Sequence, residues 1–335
     1  MREETYLTAV NEAMRLCARR DPNVLIIGED VAAGGGRKPQ GISDAWGGVY
    51  GATKGLLTEF GEARVLDTPI SETAFMGAAF GAAATGLRPV VELMHADFIG
   101  VCFDQVLNQA AKLRYMSGGQ VKVPVTIRTT VGAGFRAASH HSQILYSIFS
   151  HIPGLKCVAP STPYDAKGLL AAAILDEDPV VVFENKTLYG MKGPLPEEFY
   201  TIALGKGDIK RPGKDVTIVA LSRMVSVALE AAQSLAGEGI EAEVVDPRSV
   251  FPLDKEMILS SLSKTHRLVV VDEDTPFCGV PAEILALAVE EGMDELDAPP
   301  RRVTAPHTPV PFSPPLEDAY IPSPERVIAA VKEMS

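Results

Sequence analysis

The stretch Asp67-Thr68-Pro69-Ile70-Ser71-Glu72 puts a carboxylate where a short apolar strand gives way to a helix of small residues. Ser71 reads as the N-cap and Glu72 as a first-turn acid, where the helix dipole favours negative charge. That arrangement accounts for both residues without any chemistry. The helix that follows (Thr73, Ala74, Gly77, Ala78, Ala79, Gly81, Ala82, Ala83, Ala84) adds a reason to look further. Side chains this small let backbones approach closely, so the helix is expected to pack on another helix or on a second subunit. A carboxylate at the mouth of such an interface is a candidate acid–base group.

Ser139-His140-His141-Ser142-Gln143 follows an apolar strand and opens a helical pattern, and it holds two of the six histidines. Strand-to-helix loops are where catalytic groups concentrate. Adjacent histidines converge poorly on one metal, and neither H-E-x-x-H nor a cysteine partner accompanies them, which disfavours zinc. No G-x-S-x-G is present, so a serine hydrolase is equally disfavoured. Asp176-Glu177-Asp178 closes a helix, where acids oppose the dipole and call for positive charge nearby, from a basic side chain or a bound cation. Gly34-Gly35-Gly36 with Arg37, Lys38 and Pro39 could cradle a phosphate. It lacks Walker spacing and a flanking strand and helix, so a surface or interface loop is the simpler reading.

The elements that must carry these groups alternate along the chain. Apolar strands at 24–28, 88–93, 123–128, 155–159 and 179–183 alternate with helical patterns at 72–86, 98–116, 142–151 and 163–176, after an amphipathic first helix. Short apolar strands without in/out alternation belong to a mostly parallel sheet covered on both faces. Residues 192–214 read as a loop, with a domain boundary near 186–214. A second series follows, with strands at 215–221, 241–246 and 267–272 and helices at 225–238, 254–262 and 280–291. The Pro-rich stretch 304–324 reads as an extended packing segment.

Composition narrows the classes. The 335 residues carry a formal net charge of −12, which argues against nucleic acid or an anionic membrane as partner. The four cysteines are far apart, so reduced thiols are expected rather than a disulfide framework or a structural zinc site. The acidic start Met1-Arg2-Glu3-Glu4 does not resemble a secretory leader, and 74–86 is too short to span a bilayer. The expectation is a cytoplasmic protein.

Together, DTPISE at 67–72, VELMHADFIGVCFDQVLNQAAKLRYMSGG at 91–119, HHSQ at 140–143 and HIPGLKCVAPSTPYDAKGLL at 151–170 resemble one family. It is the β subunit of the thiamine-diphosphate-dependent first component of 2-oxo acid dehydrogenase complexes, and the resemblance extends through VVDPRSVFPLD (244–254) and RLVVVDE (267–273). Within it, 186–196 and 302–327 look most like the acetoin dehydrogenase β subunit. The resemblance implies a transketolase-like α/β fold. Its parts would be a pyrimidine-binding parallel-sheet domain over 1–190, a linker over 191–213 and a smaller transketolase C-terminal-like domain over 214–335. It implies a cofactor-bound carbanion formed from a small carbonyl substrate, and a two-carbon acyl unit passed to lipoyl-lysine. Acetoin is the first reading of the substrate; pyruvate or a branched-chain 2-oxo acid, oxidatively decarboxylated, is the alternative.

By the same resemblance Glu72 matches the glutamate that hydrogen-bonds the pyrimidine ring nitrogen, Phe98 an aromatic packed on that ring, and His141 the histidine active in acyl transfer. Glu72 would promote the imino tautomer that deprotonates the thiazolium carbon. Phe98 reads equally as a core aromatic beside Cys102 and Val106. His140 stands where the family often has glutamine and receives no catalytic role. Val125, Ala173, Ile174, Asp176 and Asp178 fall where mammalian members bind potassium, with Asp178 in place of their Asn. A partner α subunit would bring the GDG motif that holds magnesium and the diphosphate, in an assembly of two α and two β chains joined to a lipoyl acyltransferase. This sequence has no GDG, which opposes a free-standing transketolase-like enzyme. A non-catalytic assembly subunit is opposed by the presence of Glu72 and His141. Titrating thiamine diphosphate by calorimetry should accordingly show tight binding only when this chain is mixed with its α subunit; tight binding by this chain alone would refute the half-site reading.

Overall fold

The computed structural model describes residues 1–32 and 46–334, so the Gly-rich segment 34–39 lies outside the described residues. The chain divides into two compact units, one of Met1–Thr130 with Ile148–Leu204, the other of Val131–Ser147 with Gly205–Ser335. Residues 131–147 fall inside the first domain as read from sequence, yet they pack with the second unit. Ala133 donates its backbone N–H to Glu273, and Gly134 and Arg136 donate theirs to Glu317.

The strands of the first unit are β1 (Arg2–Thr5), β2 (Val24–Glu29), β3 (Val65–Thr68), β4 (Arg88–His95), β5 (Thr126–Val131), β6 (Lys156–Val158), β7 (Val180–Asn185) and β8 (Lys192–Leu195). Its main sheet has the order β6-β7-β5-β4-β2-β3, with parallel pairing of β2 to both β3 and β4, of β4 to β5 and of β6 to β7. β5 begins three residues later than its apolar run because Pro124 has no N–H to give a ladder. β1 and β8 pair antiparallel, so part of the expected linker is strand. The helices are α1 (Tyr6–Arg20), α2 (Leu56–Phe60), α3 (Glu72–Ala84), α4 (Ile99–Asp104), α5 (Ala111–Met116), α6 (Tyr146–Ser150), where the chain returns from 131–147, and α7 (Pro163–Leu175). The caps of α1 and α7 follow local rules: Thr5 accepts the Thr8 N–H at 3.1 Å, and Thr162 accepts that of Asp165 at 3.1 Å with Pro163 next in line.

Periodicity reads 98–116 as one helix. The structure breaks it into a 3-10 turn (Ala96–Phe98), α4, a π-helical segment (Gln105–Ala110) and α5. Cys102 leaves helical backbone geometry at φ −112°, ψ 20°. The hydrophobic period survives such a break, because Cys102, Val106 and Ala110 stay buried on one face.

Inside this apolar core lies a buried charge cluster. Glu92 and Arg128 are register partners on β4 and β5, and Glu184 stands on the neighbouring β7. The guanidinium forks onto Glu184 through Nε and Nη2, both at 2.8 Å, and reaches Glu92 through Nη1 at 2.7 Å. The Tyr189 hydroxyl donates to Glu184 at 2.7 Å. Burial opposes the charge of Arg128, and Glu184 and Glu92 more than offset it, so it stays protonated. Burial pushes the Glu92 carboxyl up, against the pull of Arg128. Gly28 admits the close approach of β4: a Cβ there would sit 2.9 Å from the Glu92 carbonyl oxygen.

The second unit holds β9 (Asp208–Arg211), β10 (Val216–Ala220), β11 (Ala242–Asp246), β12 (Ser249–Phe251), β13 (Leu268–Val271) and β14 (Arg301–Val303). Its own sheet has the order β14-β13-β10-β11-β9, antiparallel only at β9–β11. Helices α8 (Met224–Ala236), α9 (Lys255–Thr265), α10 (Val280–Gly292), α11 (Pro314–Tyr320) and α12 (Pro324–Lys332) complete it. The Pro-rich stretch is thus only partly extended; its prolines open α11 and α12 at first-turn positions, where a missing N–H costs nothing. Among the described residues no helix is long and apolar enough to cross a membrane.

Arg128→Met would leave two carboxylates facing each other in a dry core. Chemical denaturation should show a loss of about 3–5 kcal/mol, the cost of stranding buried charge rather than of one hydrogen bond.

Candidate active site

Glu72 opens α3 just past the carboxyl end of β3. Ser71 occupies the N-cap position but does not cap with its side chain, contrary to expectation. Its hydroxyl donates backward to the Pro69 carbonyl at 3.1 Å, because the backbone (φ −164°, ψ 60°) turns it away from the helix. Glu72 is only 8% exposed, and among the described residues no group donates a hydrogen bond to its carboxyl. Four positions earlier, the buried Thr68 hydroxyl also lacks a partner among the described residues. Electrostatics place Glu72 within a field of acids: burial raises the Glu29 carboxyl, and Asp30, Glu72 and Glu92 raise it further. Burial and then the Glu72 charge push the Cys102 thiol up to about 12, which makes it an inert core thiol.

The small residues of α3 are used in two ways. On one side the helix packs on the segment after β4: Thr73 donates its hydroxyl to the Val101 carbonyl at 2.6 Å, and a Cβ at Gly77 would lie 3.0 Å from Gln105 Oε1. Ala74, Ala78 and Gly81 stay exposed, a small-residue face left uncovered in this chain.

Phe98 ends the 3-10 turn and is half-buried, whereas Cys102 and Val106 lie fully in the core. Its ring meets that of buried His95 edge-on, with centroids 5.4 Å apart at 81°. Tyr50 approaches the same imidazole at 6.1 Å and 81°. His95 Nδ1 lies 2.8 Å from the Thr130 hydroxyl, which donates to the Met94 carbonyl at 2.5 Å. The hydroxyl proton is thereby committed to the carbonyl, so Nδ1 must carry the proton that His95 shares with Thr130. Burial pushes the Tyr50 phenol up to about 12, so it remains neutral. His95, Tyr50 and Thr130 escaped sequence reading. The available signal was a lone imidazole closing an apolar strand, since ligands of open α/β sheets bind at strand carboxyl ends.

His140 and His141 lie on a 3-10 turn, Ser139–His141, not in a helix from 142. Ser139 donates to the Val310 carbonyl at 2.9 Å, and from within α6 Ser147 donates to Asp274 at 3.4 Å. Burial raises the Asp274 carboxyl to about 6. His140 is exposed and His141 half-buried. Ser139, His140, Gln143, Thr275, His307 and Thr308 line a cavity of about 380 Å³ in this unit.

The acids after α7 find their positive charge in the protein itself. Lys156 bridges both Asp176 oxygens at 2.8 Å and reaches Asp178 at 3.3 Å; Arg114 pairs with Asp178 at 2.6 Å and Lys122 with Glu177 at 2.7 Å. Arg88 donates to the carbonyls of Ile174 (3.3 Å) and Asp176 (2.9 Å), while Val125 and Ala173 accept from the Val180 and Asp176 N–H groups. These contacts put protein cations beside the cluster.

Two family models cover most of the chain. That of the transketolase pyrimidine-binding domain matches residues 3–192, and that of the transketolase C-terminal domain matches 205–327. The acetoin:2,6-dichlorophenolindophenol oxidoreductase subunit beta of Bacillus subtilis (strain 168) is 61% identical over 326 residues, which span 97% of this chain and 95% of that one. The chain belongs to the transketolase-like β subunits of thiamine-diphosphate-dependent dehydrogenases. The 2-oxoisovalerate dehydrogenase subunit beta of the same organism is more distant, at 44% over 333 residues (99% and 98% covered). In fold the chain is similar to a solved split-gene transketolase, an inactive β4 tetramer, with a TM-score of 0.77 at 24% identity over 98% and 97% of the two chains.

Membership in this family implies thiamine diphosphate, and the residues fit its pyrimidine end: a nearly buried glutamate to which no described residue donates, and a half-buried aromatic, each just past the carboxyl end of a strand of the main sheet. The resemblance assigns magnesium and the diphosphate to another chain. Glu72→Ala should therefore lower thiamine-diphosphate-dependent turnover of the assembled enzyme by roughly 10²–10⁴-fold. Its thermal melt should match wild type, because no hydrogen bond is lost; turnover near the wild-type rate would remove Glu72 from the chemistry.

Proposed function

We propose that this chain is the β subunit of an acetoin dehydrogenase-type enzyme. Paired with an α subunit in a heterotetramer of two α and two β chains, it cleaves acetoin and passes the two-carbon acyl unit to the lipoyl-lysine of an acyltransferase. The observation that carries the reading is the Glu72 carboxyl, nearly buried at the mouth of a small-residue helix with no hydrogen-bond donor among the described residues. Identity supports the substrate: 61% to an acetoin oxidoreductase subunit against 44% to a 2-oxoisovalerate dehydrogenase subunit.

Thiamine diphosphate, when bound, supplies a nucleophilic carbon and an electron sink that no protein side chain offers. Glu72 would hydrogen-bond the pyrimidine ring nitrogen and so tune the basicity of the exocyclic amine. Phe98 gives the ring a face to pack on, and His95 behind it fixes the orientation of Phe98. His141 would supply a proton during transfer of the acyl unit to the lipoyl sulfur, a task suited to imidazole. The exposed face of α3 (Ala74, Ala78, Gly81) is the surface on which a partner chain would lie.

Co-expression with the α subunit and dye-coupled assays with acetoin, pyruvate and branched 2-oxo acids test this directly. Acetoin should give the highest kcat/KM. Preference for a 2-oxo acid would keep the cofactor and site residues but overturn the substrate. A cofactor-bound heterotetramer inactive on all of them would favour an assembly role.

A further inference from the structure

Glu317 is a fully buried carboxylate 176 positions beyond His141 in the sequence, and it lies against the loop that carries that histidine. It sits on α11 and accepts three bonds from residues 134–136: the Gly134 N–H at 2.7 Å, the Arg136 N–H at 3.2 Å and Arg136 Nη1 at 2.6 Å. The same guanidinium reaches Asp318 at 2.7 Å and the Pro314 carbonyl at 3.2 Å. Three residues on, Ser139 is held by the Val310 carbonyl. Between these anchors the backbone adopts conformations that side chains disfavour: Arg136 at φ +56° and Ala138 at φ +59°. A chain segment holds such angles only when its surroundings over-determine them. His140 and His141 follow immediately.

We propose that Glu317 is a positioning residue for His141, fixing the 134–139 loop so that the imidazole is presented in one orientation. This rests on the proton-transfer role given to His141 above. A carboxylate suits the task because it only accepts. Glutamine has the same shape but would turn an N–H₂ toward the Gly134 N–H or toward the Arg136 donors, so one anchor is lost without loss of volume. Misplacement of a catalytic group by about an ångström is enough for a rate effect on the order of 10²-fold.

The test is a double-mutant cycle in the assembled α/β enzyme with acetoin as substrate and lipoyl domain as acceptor. Glu317→Gln should lower kcat about 10- to 100-fold, with KM for acetoin within twofold of wild type and an unchanged elution volume on gel filtration. In a His141→Ala background the same substitution should cost nothing further, because the residue acts through the imidazole. Glu317→Gln at the wild-type kcat, or an equal loss with and without His141, overturns the inference. His141→Ala at the wild-type rate would instead overturn the role of His141, and so separates the two failures. Should Glu317→Gln not assemble, Arg136→Met runs the same cycle, since it removes the guanidinium anchor and leaves both backbone bonds; it should show the same dependence on His141, and independence from His141 counts against the proposal.

Discussion

Three neighbouring strands of the first unit, β4, β5 and β7, each direct a charged side chain into one dry spot, where Glu92, Arg128 and Glu184 meet. A guanidinium forked onto one carboxylate and touching a second tolerates little displacement. A slip of either strand by one residue would turn the side chain to the opposite face and leave the partner charge stranded. The cluster therefore holds the register of the sheet centre in a way that Val and Ile side chains, interchangeable by one step, do not. The carboxyl ends of those strands carry His95 and Thr130, and Phe98 stands on His95. Precision at the candidate cofactor face thus begins with an ion triad one turn of the pleat away.

The same electrostatics separate the acids by role. Glu92 is neutralised by geometry, because its charge belongs to Arg128. Glu72 has no such counter-charge among the described residues, and its charge adds to those of Asp30 and Glu92 around Glu29. Structural and chemical carboxylates in one unit differ less in burial than in whether a cation has been assigned to them.

Much of this was legible in the residues. The alternation of apolar strands and helices, the position of Glu72 at the start of α3 and the place of HHSQ after β5 follow from local pattern and motif, whereas its 3-10 turn does not. What escaped has a common cause: it depends on partners distant in sequence. The break at Cys102 and the π-helical segment preserve the apolar face, so periodicity cannot register them. Ser71 fails as a side-chain cap because of its own backbone angles, which propensity does not encode. Residues 131–147 join the second unit through Glu273 and Glu317, more than 130 positions away. The acids after α7 invited a cation, and only the folded chain shows Lys156, Arg114 and Arg88 already there.

The uncovered face of α3 has a bearing on how sequence change in this protein is judged. A side chain added at Gly81 would meet nothing within 4 Å in the chain on its own. Selection for solubility or heat resistance of the isolated subunit would let bulky residues accumulate there unopposed. If a partner chain lies on this face, as proposed, only assembly would register the damage, as a chain that purifies well and finds no partner.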